Sequence, residues 1–463
     1  MESNGPTPKP SLELLPRGVI VIAGGGPIGL LLARVLSFYG VKSKLFERNK
    51  TTTKWPKMDL TNARSMEIFR KLGLADDLRK QGVPPDIDQN VIISTGLSAE
   101  KPLTQWDLPG VDRFRSQIQD TNDGTQPQEP WQRVSQAIFE RWLKKICDDD
   151  PLIDLNYGFK IDEILARSIW RPNVAVTRHW RSHEGHVFLA GDSAHQNIPT
   201  GGYGMNMGIG DAFDLGWKLA SVINGEGGPR LLESYEAERK LVALRNVERS
   251  HVHFKVHNEL QTLLGGGDPR RIDADTEEAH LLRKRVHEFY QSHDGENRDL
   301  GIEMGYRYNS HIVLHREDDG SEPPSDPRCY TPTTWPGGRP PHLFLSDGTA
   351  IFDKFGRHWS LLCFTDTDVG QYHIVQAASD LGLSLSLINL SGEAQARALY
   401  ERTLLLIRPD QHVAWRAEAV ESLAIAYAVL RAVSGHIYTT VKNAVIGDAK
   451  PRTELAAESS VKT

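Results

Sequence analysis

Apolar and polar positions near the start of the chain predict a strand, a tight turn, a helix and a second strand. Residues 19–23 are wholly apolar and mostly β-branched, which is typical of a buried parallel strand. A helix is predicted from about Pro27 to Tyr39, because proline is tolerated in a first helical turn. Residues 41–47 return to the strand pattern. Such a βαβ unit indicates a parallel sheet with a right-handed crossover.

The pattern of the remaining chain alternates between strands and helices, which predicts an α/β protein of several domains. The predicted elements are, in chain order, a helix at 62–74, two strands around a turn at Gly96 within 90–106, a loop at 112–130, a helix at 134–147, a buried strand at 186–190, a glycine-rich loop with a long helix ending near Ile223, a polar and helix-biased stretch at 224–330, a Pro/Gly-rich linker at 332–341, and further strands and helices to residue 416.

A glycine-rich motif lies between the first strand and the first helix. The sequence GGGPIG fits GxGxxG: Gly24 allows the tight turn, Gly26 lets a pyrophosphate approach the backbone, and Gly29 lets the helix pack close to the strand. The helix N-terminus offers free N–H groups and partial positive charge. Glu47 ends the next strand, where an acid accepts hydrogen bonds from ribose hydroxyls. The motif predicts FAD or NAD rather than NADP.

A second motif, HVFLAGDSAHQNIPTGGYGMN, distinguishes these two cofactors. Asp192 follows Gly191 at the end of an apolar run and can accept hydrogen bonds from a polyol chain. The loop that carries Pro199, Gly202 and Gly204 opens the next helix, where backbone N–H groups can stabilise negative charge on a planar ring. FAD has a ribityl chain and a ring that becomes anionic on reduction, whereas NAD has neither. The sequence therefore predicts FAD.

The same stretches resemble a known family. GGGPIG with Glu47, and above all GDSAHQNIPTGGYGMNMGIGDAFDLGWKLA, are similar to the flavin motifs of the aromatic hydroxylases related to p-hydroxybenzoate and phenol hydroxylases, which are single-component FAD monooxygenases. NARSMEIFRKLGL resembles the family helix whose arginine lies near the flavin, and QRVSQAIFERWL resembles a segment with FAD contacts. Beyond the residues already named, the resemblance implies cofactor-binding roles for Arg48, Arg133, Gln136 and Asn206.

Two residues are candidates for catalysis. The resemblance places Arg64 near the flavin, where it would orient flavin or substrate; without the resemblance, a helix-surface arginine is nearly as good an interpretation. His195 follows the Gly-Asp pair and is a candidate general base. A loop histidine that shapes the flavin pocket is the favoured alternative, because this chemistry needs no obligate histidine.

The C-terminal part, PGGRPPHLFLSDGTAIFDKFGRHWSLLCF with LLLIRPDQHVAWRA, resembles the thioredoxin-like C-terminal domain of the phenol hydroxylases. It has no CxxC pair, so we expect no dithiol exchange. The resemblance thus implies a Rossmann-like FAD-binding domain, a reduced substrate-covering sheet and a thioredoxin-like α/β domain. The expected divisions are a disordered N-terminus at 1–18, the FAD-binding domain at 19–255 with substrate-domain segments at about 85–115 and 161–180, a helical or irregular connection at 256–331, the thioredoxin-like domain at 332–448, and a polar tail at 449–463.

The chain departs from the family at one place. Family members carry a considerably longer segment between the helix that ends near Cys147 and the Gly-Asp motif, and that segment supplies much of the substrate-covering sheet and an Asp-Gly pair. Here LIDLNYGFKIDEIL runs almost directly into ARSIWRPNVAVTRHWRSHEGHVFLAGD. We therefore expect an internal deletion, whether natural, spliced or an error of the gene model.

The resemblance implies an NADPH- or NADH-dependent monooxygenase that inserts one oxygen atom from O2 into a phenolic or other electron-rich ring, with secondary metabolites of the polyketide type as one substrate class. Two alternatives stay open. The first glycine motif alone would fit an NAD-dependent dehydrogenase, and the apparent deletion would fit a flavin-binding protein that is non-catalytic or uncoupled. The expected partners are an aromatic small molecule, O2, NAD(P)H and a second copy in a homodimer.

Composition excludes several other classes. The chain has 60 Asp and Glu residues and 54 Lys and Arg residues, which gives a net charge of −6. It has no basic cluster suited to binding nucleic acid. The three cysteines lie far apart without metal-ligand spacing, so neither a disulfide framework nor a metal site is expected. The apolar run 19–36 is interrupted by glycines, and the N-terminus lacks the apolar core of a signal peptide. We expect a cytoplasmic protein without a membrane span.

Overall fold

The computed structural model describes residues 18–54, 58–95, 102–159, 174–265, 269–315, 318 and 320–436. The helices are α1 (Pro27–Phe38), α2 (Ala63–Lys71), α3 (Ala75–Arg79), α4 (Val111–Thr121), α5 (Gln136–Asp148), α6 (Tyr203–Ile223), α7 (Glu233–Leu263), α8 (Glu277–Ser292), α9 (Leu300–Met304), α10 (Ile351–Lys354), α11 (Gln371–Asp380), α12 (Ala394–Tyr400) and α13 (Leu423–Val433). The strands are β1 (Ile20–Ala23), β2 (Ser43–Glu47), β3 (Leu60–Thr61), β4 (Val91–Ile93), β5 (Thr104–Trp106), β6 (Gln132–Arg133), β7 (Ile153–Tyr157), β8 (Ala175–Val176), β9 (His195–Gln196), β10 (Trp359–Cys363), β11 (Leu385–Asn389), β12 (Leu404–Ile407) and β13 (Val413–Ala417).

The N-terminal sheet confirms the predicted βαβ unit. Its strand order is β1-β2-β7, and both pairings are parallel. Helix α1 buries Leu30, Leu31, Val35 and Leu36 in the main core. It packs against α5 and α6 as well as the sheet, so one face of the sheet is covered by helices. The opposite face is more open, since Val21 in the middle of β1 is 49% exposed.

The loop predicted at 112–130 is wrong over its first part, where the chain forms α4. Val111, Phe114 and Ile118 recur at helical spacing and are buried. Asn122 ends the helix in the left-handed conformation, with φ of 35°. The segment was predicted as a loop because most of its residues are charged or polar. A helix that buries only one narrow apolar stripe has the same overall polarity as a loop.

The buried strand predicted at 186–190 is also wrong. Phe188 makes one isolated antiparallel bridge to Arg181, and Val187 is 60% exposed. An apolar run becomes a sheet strand only where a neighbouring strand accepts its backbone hydrogen bonds. Among the described residues, β1 pairs with β2 alone. The apolar composition of residues 186–190 predicted a buried strand, but the described sheet offers this run no neighbouring strand.

The middle of the chain is largely helical, as its polar and helix-biased sequence predicted. The long helix α7 runs through the expected division between residues 255 and 256, so the chain continues there without a break. Helix α8 packs on the β4–β5 hairpin, where Trp106 and Tyr290 lie edge to face and the Trp106 indole N–H donates to the Tyr290 carbonyl at 3.0 Å. This hairpin is the expected substrate-domain segment near residues 85–115. Residues 161–173 of the second segment, Gly96, and the expected N- and C-terminal tails lie outside the described residues, apart from Gly18 in the first tail.

The C-terminal region forms its own α/β unit. Its sheet has the order β11-β10-β12-β13, with β10 and β11 parallel and the pairs β10–β12 and β12–β13 antiparallel. This βαβ unit followed by an antiparallel hairpin and a helix is the thioredoxin-like arrangement that the resemblance implied. Cys363 is buried in β10.

A buried ion network joins this unit to the N-terminal half. Arg408 contacts both Glu238 carboxylate oxygens, at 2.7 and 2.8 Å, and Asp410 at 2.7 Å. Lys218 of α6 donates to Glu238 and Asp214. All of these side chains are almost fully buried. Burial together with Glu238 raises the pKa of Asp214, although Lys218 opposes the shift. Lys218 and Arg408 thus share Glu238 and Asp214, and Arg408 alone also contacts Asp410.

We expect Arg408→Met to lower the free energy of unfolding by about 3–5 kcal/mol, because removing one partner of a buried ion pair leaves the other charges uncompensated. Denaturant unfolding followed by circular dichroism measures the loss. Lys145→Met is the matched control, since Lys145 is 80% exposed and 3.6 Å from its partner Asp149, and should change stability little. Equal effects of the two substitutions would contradict a structural role for the network.

Candidate functional site

The glycine motif has the geometry of a phosphate cradle. Gly24 lies in the left-handed region with φ of +113°, where a side chain would be strained. A Cβ at Gly29 would lie 2.0 Å from the Gly24 carbonyl oxygen, so only glycine allows α1 to approach the strand this closely. A Cβ at Gly26 would meet nothing within 4 Å. The backbone at Gly26 therefore faces open space beside the N-terminus of α1, and these residues fit a bound pyrophosphate.

Glu47 lies directly beside this cradle. One of its carboxylate oxygens accepts a hydrogen bond from the Gly25 N–H at 2.7 Å, and the other accepts from the backbone N–H of Asn49 at 2.7 Å. The Tyr157 hydroxyl donates to the Gly25 carbonyl at 2.9 Å. The acid at the end of β2 is thus held where a ribose next to the pyrophosphate would lie. Arg48, the adjacent candidate, is exposed.

The second motif folds against the first. Gly191–Ser193 form one 3-10 turn, and a Cβ at Gly191 would lie 3.0 Å from Ile28 of the first motif. The Asp192 side chain is exposed at this turn. The Gly191 N–H donates to the Asp211 carboxylate at 3.0 Å, so a residue of α6 fixes the turn. The structure therefore brings together the phosphate loop and the acid expected to bind the ribityl chain.

His195 is buried, and its Nε2 lies 2.7 Å from the same Asp211 carboxylate. Arg239 of α7 donates to the other Asp211 oxygen at 2.9 Å. Burial alone would raise the pKa of Asp211, but His195 and Arg239 hold it below its ordinary range. His195 is therefore better placed to shape the loop than to act as a general base.

The glycine loop before α6 requires glycine at two places. Gly201 and Gly202 have φ of +83° and +63°, and Gly204 follows within the first turn of α6. Asn206 ties this turn to the chain before α2: its side-chain oxygen accepts from the Asn62 N–H at 3.0 Å, and its side-chain nitrogen donates to the Gly202 carbonyl at 2.8 Å. The Asn206 side chain therefore positions the loop, while Pro199 sets its start.

The remaining candidates lie at the start of α5 and on α2. Arg133 is paired with Asp59 at 2.6 Å, and Gln136 donates to Glu140 at 2.7 Å. Arg64 is buried, and its guanidinium contacts Glu67 at 2.9 Å and the Asp410 carbonyl at 2.8 Å. Arg64 thus contacts the C-terminal unit, a contact that no local sequence pattern could indicate.

Asp211 and Arg239 hold the Gly191 turn in place, and neither residue was predicted from the sequence. Asp211 lies in the second flavin motif, at the start of DAFDLGWKLA, and a charged residue inside an otherwise apolar helix was the available signal. Arg239 had no such signal, because α7 is rich in charged residues throughout.

Within the described part of the chain, no group of three His, Cys, Asp or Glu side chains could hold a metal ion. Among its helices, none is both long and apolar enough to cross a membrane.

Two family profiles match the chain. The profile described as FAD binding domain matches residues 18–158 and 158–250, and the profile described as aromatic-ring hydroxylase, C-terminal, matches residues 333–436. The two profiles cover the units that carry the glycine motifs and the thioredoxin-like sheet.

Full-length relatives agree with the profiles. The chain is 34% identical to the FAD-dependent monooxygenase apdD of Emericella nidulans, over 91% of each chain. It is 32% identical to the FAD-dependent monooxygenase opdD of Penicillium oxalicum, over 82% of this chain and 100% of the relative. A phenol 2-monooxygenase of a Pseudomonas species is 22% identical over 87% of this chain and 90% of the relative.

Solved structures share the fold. The rebeccamycin biosynthetic enzyme RebC with reduced flavin aligns with a TM-score of 0.76 at 23% identity, covering 91% of this chain and 99% of RebC. The flavin-dependent monooxygenase PieE in complex with FAD and substrate aligns with a TM-score of 0.75 at 22% identity, covering 91% of this chain and 100% of PieE. With its two glycine motifs in contact and both profiles matched, the chain belongs to the family of FAD-dependent monooxygenases that includes the aromatic-ring hydroxylases.

Proposed function

We propose that the protein is a FAD-dependent monooxygenase that hydroxylates a phenolic or similarly electron-rich aromatic compound with NAD(P)H and O2. The observation that carries this proposal is the contact between the phosphate cradle and the Gly191–Asp192 turn in a chain that is 34% identical to a FAD-dependent monooxygenase over nine-tenths of its length. Relatives named phenol 2-monooxygenase and aklavinone 12-hydroxylase support an aromatic substrate, including one of polyketide type.

When bound, FAD supplies the redox chemistry, taking electrons from NAD(P)H and activating O2. The chain's own residues bind and orient the cofactor. The Gly24–Gly29 loop and the N-terminus of α1 receive the pyrophosphate, Glu47 accepts hydrogen bonds from the ribose, and Asp192 accepts them from the ribityl chain. The loop from Pro199 and the first turn of α6 direct N–H groups at the ring, where they stabilise negative charge.

The nicotinamide nucleotide has no second GxGxxG fingerprint in the sequence. We therefore propose that NADH or NADPH binds transiently at the flavin face without a Rossmann domain of its own. An NAD-dependent dehydrogenase, the alternative that the first motif allowed, is disfavoured by the FAD-binding profile and the flavin-specific second motif. The homodimer and the cytoplasmic location stay predictions.

We further propose that the chain lacks part of the family's substrate cover, removed near residue 158. The alignment with apdD spans 569 positions, more than the 463 residues of this chain. The FAD-binding profile matches in two parts that meet at residue 158. Phe159 beside this junction is 60% exposed, as is Val187 in the run that failed to form a strand. Apolar side chains exposed on both sides of the junction are what loss of covering strands would leave.

This deletion supports a second candidate function, an uncoupled flavin oxidase. A closed site excludes water and prevents side reactions of activated oxygen. With an incomplete cover, electrons from NAD(P)H would reduce O2 to hydrogen peroxide before an aromatic ring is hydroxylated. The residues proposed to bind FAD lie before and after the junction near residue 158. Loss of cover at this junction would therefore impair hydroxylation without removing the FAD site.

We expect Gly26→Val and Asp192→Ala to reduce FAD binding for different reasons. The valine would fill the open space that the pyrophosphate needs, while the alanine removes the acceptor for the ribityl chain. Because a hydrogen bond to a charged group contributes about 1.5–3 kcal/mol, Asp192→Ala should weaken FAD about ten- to hundredfold. Flavin absorbance per mole of purified protein and titration of the apoprotein measure both effects.

Gly392→Val is the matched control, because Gly392 also has open space around its Cβ position and lies in the C-terminal unit. It should retain full flavin content. Wild-type flavin content in both Gly26→Val and Asp192→Ala would show that the cofactor is not bound as proposed.

We expect the 463-residue chain to oxidise NAD(P)H to NAD(P)+ while it reduces O2 mainly to hydrogen peroxide, with little hydroxylated product, because the proposed cover over the flavin is incomplete. Parallel assays of NAD(P)H consumption, peroxide and product with a simple phenol measure the coupling. A family-length segment inserted between Phe159 and Ile161 should convert this oxidase behaviour into hydroxylation. Tight coupling in the chain as it stands would refute the proposed loss of cover.

A further inference from the structure

A small cavity lies behind the first turn of α6, where this helix meets α2, α7 and α9. Its volume is about 20 Å³, which is room for one or two ordered water molecules. Asn206 and Tyr203 form the wall on the α6 side. Both belong to the segment that positions the glycine loop, so the cavity lies directly behind the proposed flavin site.

Three polar atoms of residues that line this cavity are buried without a hydrogen-bond partner among the described residues. Two are acceptors, the Oε2 atom of Glu303 on α9 and the Oδ1 atom of Asn246 on α7, and the third is a donor, the Nε of Arg64 on α2. Buried polar atoms in folded proteins are nearly always hydrogen-bonded to protein or to ordered water. Two such acceptors that converge from different helices on one cavity indicate a ligand that donates hydrogen bonds.

The groups around the cavity favour a neutral ligand. Arg64 and Arg239 line it and would repel a cation. Arg64 is paired with Glu67, which it shares with Arg339, and Arg239 is paired with Asp211. The unpartnered oxygens of Glu303 and Asn246 are acceptors and would repel an anion. A water molecule or another small hydroxyl group meets the requirements of size, charge and hydrogen bonding.

The surroundings also favour the neutral form of Glu303. Burial raises the pKa of its carboxyl to about 8; a hydrogen bond from the Ala63 N–H opposes the shift, and the negative charges of Asp299 and Glu67 add to it. As a neutral acid, Glu303 can donate as well as accept a hydrogen bond. The titratable and charged groups that face it from the surrounding elements are Arg64 and Glu67 of α2, Tyr203 of α6, Arg239 of α7, and Asp299 and Tyr306 on either side of α9.

We propose that this cavity is a binding site for ordered water or another neutral hydroxyl group, held by Asn246 and Glu303, and that Glu303 is a positioning residue for the glycine loop before α6. Ionisation of Glu303 would place a buried negative charge behind the first turn of α6, the turn whose N–H groups stabilise negative charge on the ring. The second half of this proposal rests on the proposed function, whereas the first half does not.

The first test uses the apoprotein and the isosteric variant Glu303→Gln, with Glu259→Gln at an exposed position of α7 as control. Infrared difference spectra of the wild type should show a protonated carboxyl at pH 7 that is lost by pH 9.5. Glu303→Gln should lack this titrating band, and Glu259→Gln should keep it. Comparison of the variants also removes the contribution of Asp214, whose pKa is raised as well.

Thermal stability gives an independent readout. An acid whose pKa is raised in the folded state costs stability as the pH rises above the unfolded value of about 4.3, and the cost is complete above the folded value. The melting temperature of Glu303→Gln should therefore match the wild type near pH 4, exceed it increasingly up to about pH 8, and then stay above it by a constant margin. Glu259→Gln should follow the wild type throughout.

The second test measures the midpoint potential of bound FAD between pH 6 and 9.5. In the wild type the potential should fall more steeply around pH 8, because the new charge disfavours the reduced, anionic ring; Glu303→Gln should lack this extra fall. A wild-type carboxyl already ionised at pH 6 would overturn the site itself. Identical potential profiles would overturn the positioning role. If the protein binds no FAD, the proposed function and the positioning role both fail, and the apoprotein spectra still decide the site.

Discussion

Buried arginine–carboxylate pairs hold the two halves of this protein together, and the geometry of the cofactor site depends on them. Glu67 of α2 contacts Arg64 on its own helix and Arg339 from the C-terminal half, and all three side chains are buried. Burial alone would raise the pKa of Glu67, but the two guanidinium groups lower it to about 2. Such pairs contribute little net free energy when complete and cost a great deal when broken. They therefore fix a single relative position of the helices more than they stabilise the fold.

Buried charged groups also hold the Gly191–Ser193 turn in place. Asp211 is the point where the Gly191 turn, His195 and Arg239 meet, and Arg239 continues to the Tyr308 hydroxyl at 3.2 Å. The turn that presents Asp192 is thus anchored on helices α6 and α7, which the ion network joins to the C-terminal half. A C-terminal unit without redox cysteines still has a physical role, because it supports the helices on which the cofactor loop rests.

Local chemistry made part of this arrangement predictable from the sequence. The turn at Gly24, the close approach at Gly29 and the acid at the end of β2 depend on residues within a few positions of one another, and the structure shows the expected geometry for each. FAD rather than NAD was predictable from the second motif, because FAD has a ribityl chain that its acid can bind and NAD has none. An α/β unit at the C-terminus was predictable from alternating apolar runs, which find their strand neighbours within the same unit. Its thioredoxin-like arrangement was implied by the family resemblance alone.

Contacts between distant segments were not predictable in this way. Arg64 lies on an amphipathic helix that looks ordinary, yet two of its partners, Gln411 and Asp410, are more than three hundred residues away. The run at 186–190 has the composition of a core strand, and it failed because burial depends on a neighbouring strand rather than on composition. In α4, three apolar positions among charged ones suffice for a helix only because other elements cover them. Composition identifies which residues gain from burial, and the fold determines which of them find a partner.

The distribution of the proposed cofactor residues explains how the chain could retain a flavin site despite the proposed loss of cover. Gly24, Gly29 and Glu47 precede the junction near residue 158, and Asp192 with the glycine loop follows it, so the two groups meet through α1 and α6 rather than through the segment between them. Bound FAD would stabilise this meeting point by mass action, since it contacts both groups only in the folded state. Substrate cover and cofactor binding thus depend on different segments. The proposed loss of substrate cover would leave cofactor binding intact. The amount of water that reaches the flavin would then determine which reaction the chain performs.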